Sequence, residues 1–356
     1  MGDHPVLFIP GPTEVDDELR RIMAMPLCGH RSQGFTAAVH DVCQRLKPLF
    51  HTLAHTAFET CPATALMEAG IRNLVPPGGR TLHLVAGAFG ERWSKISGWC
   101  GRQPELLAAP WGSAHDPALL ATRLRSGPPV SAVMITHNET STGVLQPLRQ
   151  LAAAVRETAP DALVLVDAVT SLGGAELQFD DWGIDLAFAG TQKCLALPPG
   201  LCVYALSHRA MERARSVPDR GYLFDFVRAV PDTLAGKTLA TPCVPLVFAL
   251  QRQLQRIEQE TLEARWLRHR AMQQVCADWA REHAIEPFVA QEAARSPTVS
   301  CFQASGRDVK QMAERASDAG YKIDQGYGDL KGKTFRIGHM GDHTVDRVQA
   351  CLRTML

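Results

Sequence analysis

The chain alternates short apolar runs with longer stretches in which apolar residues recur every three or four positions. The runs Thr81–Ala86, Val130–Thr136, Ala162–Asp167, Ile184–Ala189 and Leu201–Leu206 are rich in Val, Leu and Ile and bounded by Gly, Pro or polar residues. That is the pattern of strands covered on both faces. Between them, Thr64–Val75, Glu91–Trp99, Pro117–Arg125 and Leu148–Thr158 read as amphipathic helices. Such alternation predicts an α/β fold with a mostly parallel sheet. One long helix is expected over Pro245–Ala284. Beyond Pro287, strand-like Thr298–Gln303 and Thr334–Ile337, a helix near Asp308–Ala319 and a last helix predict a smaller C-terminal α+β domain. The expected division is an N-terminal segment (1–20), a large domain (21–245), and the long helix with the small domain (246–356).

Composition narrows the function classes. The 356 residues carry 37 basic and 37 acidic side chains, so bulk charge argues for neither nucleic acid nor a membrane surface. No run of 18 apolar residues occurs, and no membrane span is expected. The start lacks a basic, then apolar, signal pattern, and Val6 stands where a myristoylation signal needs Ser or Thr. A cytoplasmic location is the expectation. The ten cysteines are scattered, no two within four residues, which excludes a zinc ribbon or a redox CxxC. His51 and His55 lie four apart but have no companion ligand in the sequence. No GxGxxG or GxxxxGK[ST] is present, so a dinucleotide or nucleoside triphosphate is disfavoured.

Open α/β sheets bind ligands beyond the carboxyl ends of their strands. Those ends carry GAFGERW, HNETSTG, DAVTSLGG and GTQKCLALPPG. Lys193 follows a strand and the turn Gly190-Thr191-Gln192, and precedes an uncharged apolar run. Desolvation there lowers a lysine's pKa and frees the amine as a nucleophile; the alternative is a lysine reaching from a strand end to solvent. The chain has only eight lysines, so a reactive one has few competitors. Asp167 ends the strand LVLVD among apolar neighbours, where a carboxylate needs a cationic partner or serves as a helix cap.

Taken in order, PGPTEV, HNETSTGV, VDAVTSLGG, GTQKCLALPPGL and FRIGHMG resemble the class V aminotransferases dependent on pyridoxal 5'-phosphate (PLP). Within that class they are similar to the alanine–glyoxylate and serine–glyoxylate (serine–pyruvate) group, from about Pro10 to the end. The resemblance implies the PLP-dependent transferase fold of type I. It makes Lys193 the residue that binds PLP covalently and shuttles the substrate proton, and Asp167 the partner of the pyridine nitrogen. Phe89 and Val169 would lie on the two faces of the ring, and Thr140 would contact its 3'-oxygen. Thr191 and Gln192 would help hold the phosphate, and Thr241 would reach the phosphate of a neighbouring subunit's cofactor. Arg336 would take the substrate carboxylate, with Pro10 and Gly11 bordering the pocket; a bidentate, permanently charged guanidinium suits that task.

One departure concerns the phosphate turn. Where the group has a Gly/Ser-rich turn, this chain has Thr60-Cys61-Pro62-Ala63-Thr64. Phosphate would then rest on backbone N–H groups from Ala63 to Ala65 and on the Thr64 hydroxyl. The resemblance implies a homodimeric transaminase with shared active sites, moving an amino group from alanine or serine to glyoxylate or pyruvate by a ping-pong route. The rival readings are a 2-aminoethylphosphonate–pyruvate transaminase and another class V enzyme, a lyase or desulfurase. Gln192, in place of the desulfurase histidine before the lysine, argues against the last.

Overall fold

The computed structural model describes residues 4–356. A two-residue strand, β1 (Val6–Leu7), is followed by β2 (His55–Glu59), β3 (Arg80–Val85), β4 (Gln103–Ala108) and β5 (Ala132–Thr136). A tight antiparallel pair, β6 (Asn138–Glu139) and β7 (Val144–Leu145), precedes β8 (Leu163–Asp167), β9 (Leu186–Gly190) and β10 (Cys202–Leu206). Seven of these build the central sheet in the order β2-β10-β9-β8-β5-β3-β4. Only β10 runs against the other six.

Side chains alternate between the two faces of each strand, and both faces are covered. Val133, Ile135, Val164 and Val166 pack under α2 (Gln33–Phe50), α6 (Leu148–Thr158) and α9 (Val244–Glu260). Their neighbours Ala132, Met134, Leu163 and Leu165 pack under α3 (Ala63–Leu74), α4 (Ala88–Trp99), α7 (His208–Ser216) and α8 (Phe226–Leu234). Helices α1 (Asp17–Met23) and α5 (Pro117–Ser126) complete the first layer. A third core gathers Phe8, the second half of α10 (Leu262–Glu282), β11 (Val299–Gln303), α11 (Val309–Asp318), β13 (Thr334–Gly338) and α12 (Val345–Leu352). It also holds β12 (Tyr321–Lys322), which pairs in parallel with β1.

One expectation is corrected. The long helix over 245–284 is two helices, broken at Thr261, whose φ of 67° lies in the left-handed region and whose hydroxyl accepts the Ala264 N–H. The break turns α10 so that Arg265 and His269 point back to the sheet. The Arg265 guanidinium donates to the Cys194 carbonyl at 2.7 Å, to Asp342 at 2.8 Å and to Glu260 at 2.7 Å. Helix α9 packs in the sheet's own core, and the second half of α10 in the third core.

Among the described residues, no helix is long and apolar enough to cross a membrane, and no three His, Cys, Asp or Glu side chains converge as a metal site. His51 lies against Trp266, and His55 against His208.

Candidate active site

The carboxyl ends of β3, β5, β8 and β9 lie side by side in the sheet, which brings Phe89, Thr140, Asp167 and Lys193 to one rim. Asp167, the last residue of β8, is buried; Oδ1 accepts the Val169 N–H at 2.9 Å, and Oδ2 has no hydrogen bond. Burial, aided by the charge of Glu139, raises its pKa to about 7, against the pull of Lys193 and Arg92. Lys193 is half-buried, and its Nζ donates to the Pro10 carbonyl. Burial and the positive charge of Arg336 lower its pKa to about 8. An acid held above its ordinary pKa beside an amine held below its own is the combination that makes a site reactive near neutrality.

Gly11 shapes the space around the amine. Its φ of +113° favours glycine, and a Cβ there would lie 2.5 Å from Nζ and 2.7 Å from Cε of Lys193. The next turn is tied down by the Thr13 N–H, which donates to the Gln192 carbonyl at 3.1 Å.

Arg336, on β13, enters from the C-terminal side. Nε donates to Asp324 Oδ1 at 2.8 Å and one terminal nitrogen to the Thr140 carbonyl at 2.7 Å, while Nη2 makes no hydrogen bond. The guanidinium is held in plane with its outer end open, the geometry that grips a carboxylate. The Tyr327 ring lies 5.5 Å from its Cζ and stacks on Phe89 at 5.8 Å. Arg92 covers Phe89 at 4.8 Å and donates to the Tyr327 hydroxyl at 3.0 Å. Asp324, Tyr327 and Arg92 thus join the residues expected from the motifs. The opposing charge of Asp324 lies twelve residues from Arg336 and shows no local pattern; Arg92 stands within the GAFGERW segment and is readable there.

The other anticipated residues divide. Thr140 Oγ1 shares a 2.6 Å hydrogen bond with Thr170 Oγ1, which leaves capacity for another partner, and Val169 is half-buried beside Asp167. Gln192 is half-buried next to Lys193. Thr191 is wholly buried, and its hydroxyl donates to the Pro198 carbonyl at 2.7 Å, which fixes the turn before Lys193. The turn before α3 offers fewer donors than its sequence suggests. Pro62 caps the helix without a side-chain bond, and the Ala65 N–H is already given to the Pro62 carbonyl at 2.9 Å. That leaves the N–H groups of Ala63 and Thr64, with the exposed Thr64 hydroxyl, for an anion. Thr241 is exposed and borders a small cavity with Thr60 and Glu59. His339 is a buried, neutral imidazole sharing a hydrogen bond with Ser300 Oγ at 2.9 Å; burial lowers its pKa to about 3.

These features suit PLP. Buried Asp167 offers an unpartnered carboxylate oxygen to a protonated ring nitrogen, Lys193 a desolvated amine to a carbonyl, and the start of α3 free N–H groups to a phosphate.

Residues 114–328 match the family model described as aminotransferase class-V. An uncharacterized aminotransferase of Methanocaldococcus jannaschii is 34% identical over 340 residues, covering 94% of this chain and 88% of that protein. The serine–glyoxylate aminotransferase of Methylorubrum extorquens is 30% identical over 94% of this chain and 86% of its own. The crystal structure of an alanine–glyoxylate aminotransferase from Nostoc sp. superposes with a TM-score of 0.93 at 29% identity, covering 99% of this chain and 94% of that one.

Proposed function

The chain belongs to the class V aminotransferases, and from that membership we propose that it moves an amino group from a small L-amino acid, alanine or serine, to glyoxylate or pyruvate, with PLP held at Lys193. The observation that carries this reading is the place of the half-buried Lys193 just past β9, beside the β8 strand that ends in buried Asp167, with its Nζ held to the Pro10 carbonyl. The names of the relatives support a glyoxylate acceptor.

Bound PLP supplies an electrophilic carbonyl carbon and an electron-withdrawing ring; the chain supplies the rest. Arg336 receives the carboxylate of each substrate through its open end, while Asp324 and Thr140 keep the guanidinium from swinging. That anchor sets the donor's Cα relative to Lys193 Nζ. With a pKa of about 8, the Lys193 amine has a free fraction near neutrality and can take the Cα proton, then return it. Asp167, otherwise raised to about 7, would be drawn into its ionised form by a protonated ring nitrogen and would keep that proton in place. Phe89 and Val169 would hold the ring between them. A half-reaction leaves the amino group on the enzyme, so donor and acceptor use one carboxylate site in turn, as a ping-pong order requires. We also propose a homodimer in which Thr241 serves the neighbouring subunit's phosphate site.

The test is the absorption spectrum of the purified protein with PLP, before and after L-serine or L-alanine, repeated with Lys193→Ala. A yellow band in the wild type that the donor bleaches and glyoxylate or pyruvate restores is the expected result. A wild type that stays colourless with PLP overturns the reading.

A further inference from the structure

Helix α4 begins without a cap of its own. Its N-cap is Gly87, which has no side chain to accept the first N–H groups, yet this is the helix that carries Phe89. Three donors are therefore left over at a buried helix start, and all three are satisfied from one place in the β6–β7 hairpin. Glu139 Oε2 accepts the N–H of Phe89 at 3.1 Å and of Gly90 at 3.2 Å. Glu139 Oε1 accepts the Ser141 N–H at 3.1 Å and hydroxyl at 2.5 Å, and Ser141 Oγ accepts the Ala88 N–H at 3.1 Å. Gly87 is what permits the approach: a Cβ there would lie 2.5 Å from Ser141 Oγ and 2.6 Å from Glu139 Cγ.

We infer that Glu139 is a positioning residue for the cofactor, clamping the helix start that bears Phe89 to the hairpin that bears Thr140, so that the stacking ring keeps a fixed height over the ring plane set from Asp167. This rests on the PLP reading above. Glu139 touches neither substrate nor cofactor and acts through Phe89. The surroundings suit a carboxylate: every contact is a donor, and the positive end of a helix macrodipole faces it. Burial opposes ionisation and moves its pKa up, while the same hydrogen bonds pull it down. The remaining polar neighbours on the packed elements are Ser141 and Thr142, both buried, and Asp167, on which the Glu139 charge acts.

The expected behaviour is a coupling between Glu139 and Phe89 in holding PLP. In Glu139→Gln, the amide –NH2 must face either the Ser141 N–H or the two helix N–H groups, so one arm of the clamp is lost whichever way it turns. The dissociation constant for PLP, measured by equilibrium dialysis, should rise about tenfold in Glu139→Gln and about tenfold in Phe89→Ala. In the double variant the second change should add less than twofold. The visible circular dichroism of bound PLP, which reports a fixed ring tilt, should fall in Glu139→Gln at saturating cofactor. Ser141→Ala should act in the same direction with about a threefold effect, and it replaces Glu139→Gln in the cycle if that variant does not fold. Effects that multiply to about a hundredfold, or a Glu139→Gln that melts earlier but binds PLP and shows dichroism as the wild type does, would overturn the inference. A wild type that does not bind PLP would instead overturn the functional reading itself.

Discussion

At the scale of single residues, the site is defined by groups whose proton affinities have been moved toward each other. The sign for Lys193 follows from its folded value of about 8 against an ordinary 10.5. At neutral pH about a tenth of the folded chains carry the free amine, against well under a thousandth for an exposed lysine. Capture of PLP by the apo-protein should therefore rise through pH 8 and level off by about 9, followed by stopped-flow absorbance. A rate that keeps climbing to pH 10 would mean that the amine is not desolvated. Gly11 bears on the same atom. Gly11→Ala places a methyl group against Nζ in a backbone conformation that disfavours it, and kcat/KM should fall by about a hundredfold, or about 2.7 kcal/mol, with little change in far-ultraviolet dichroism. Lys193, Asp167 and Arg336 are legible in the sequence because each stands in one of an ordered set of motifs on the strands or just beyond their ends. Asp324, Tyr327 and Glu139 are not, because their roles arise from contacts across 12, 238 and 50 residues of chain. The contact of the Thr191 hydroxyl with the Pro198 carbonyl is equally hidden, because it depends on how the turn after Lys193 folds back.

Among the elements, hydrophobic patterning locates the interior strands to within two residues because they are buried on both faces. The edge strand β4 escapes it for the complementary reason. β4 is Gln103-Pro104-Glu105-Leu106-Leu107-Ala108, with no buried residue and with a proline at its second position, as only an edge tolerates. The break at Thr261 is equally hidden, since threonine is neither Gly nor Pro and the apolar period continues on both sides. Its cost is offset by what it places: Arg265 reaches Cys194, next to Lys193, and Asp342 of the third core. Thr261 both caps α10 and bears a positive φ, and two substitutions separate these roles. Thr261→Ala loses the cap and keeps the strain, so it should cost about 1–2 kcal/mol in urea unfolding. Thr261→Gly loses the cap but relaxes the backbone and should cost only a few tenths. Equal losses would show that the left-handed conformation is not strained.

For the whole molecule, the question is what covers the apolar side chains left outside the three cores. Met25 and Leu27 are 63% and 73% exposed on the loop after α1, and Tyr222, Leu223 and Leu234 are 64%, 48% and 46% exposed around α8. Helix α8 packs on α2, where a Cβ at Gly236, just past α8, would lie 2.7 Å from the His40 ring. An apolar surface of this kind on a neutral chain favours association with a second copy. The same side of the molecule carries exposed Thr241, beside Thr60 at the phosphate turn, and Glu59, whose carboxyl has no hydrogen-bond partner and whose pKa burial raises to about 8. Glu59 supplies a sign that can be checked. Its unfolded value near 4.5 lies below the folded one, so the unfolded chain releases its proton first, and stability is lost as pH rises from about 4.5 to 8. Glu59→Gln should flatten that loss, with a melting temperature above the wild type's at pH 8 and closer to it at pH 5. Tyr222→Asp combined with Leu223→Asp addresses the interface directly. Sedimentation should show a dimeric wild type and a monomeric variant, and the variant should hold PLP at least tenfold more weakly because Thr241 is no longer delivered across the interface. A monomeric wild type that retains PLP fully would mean that each chain completes its own phosphate site, and that the two N–H groups at the start of α3 suffice.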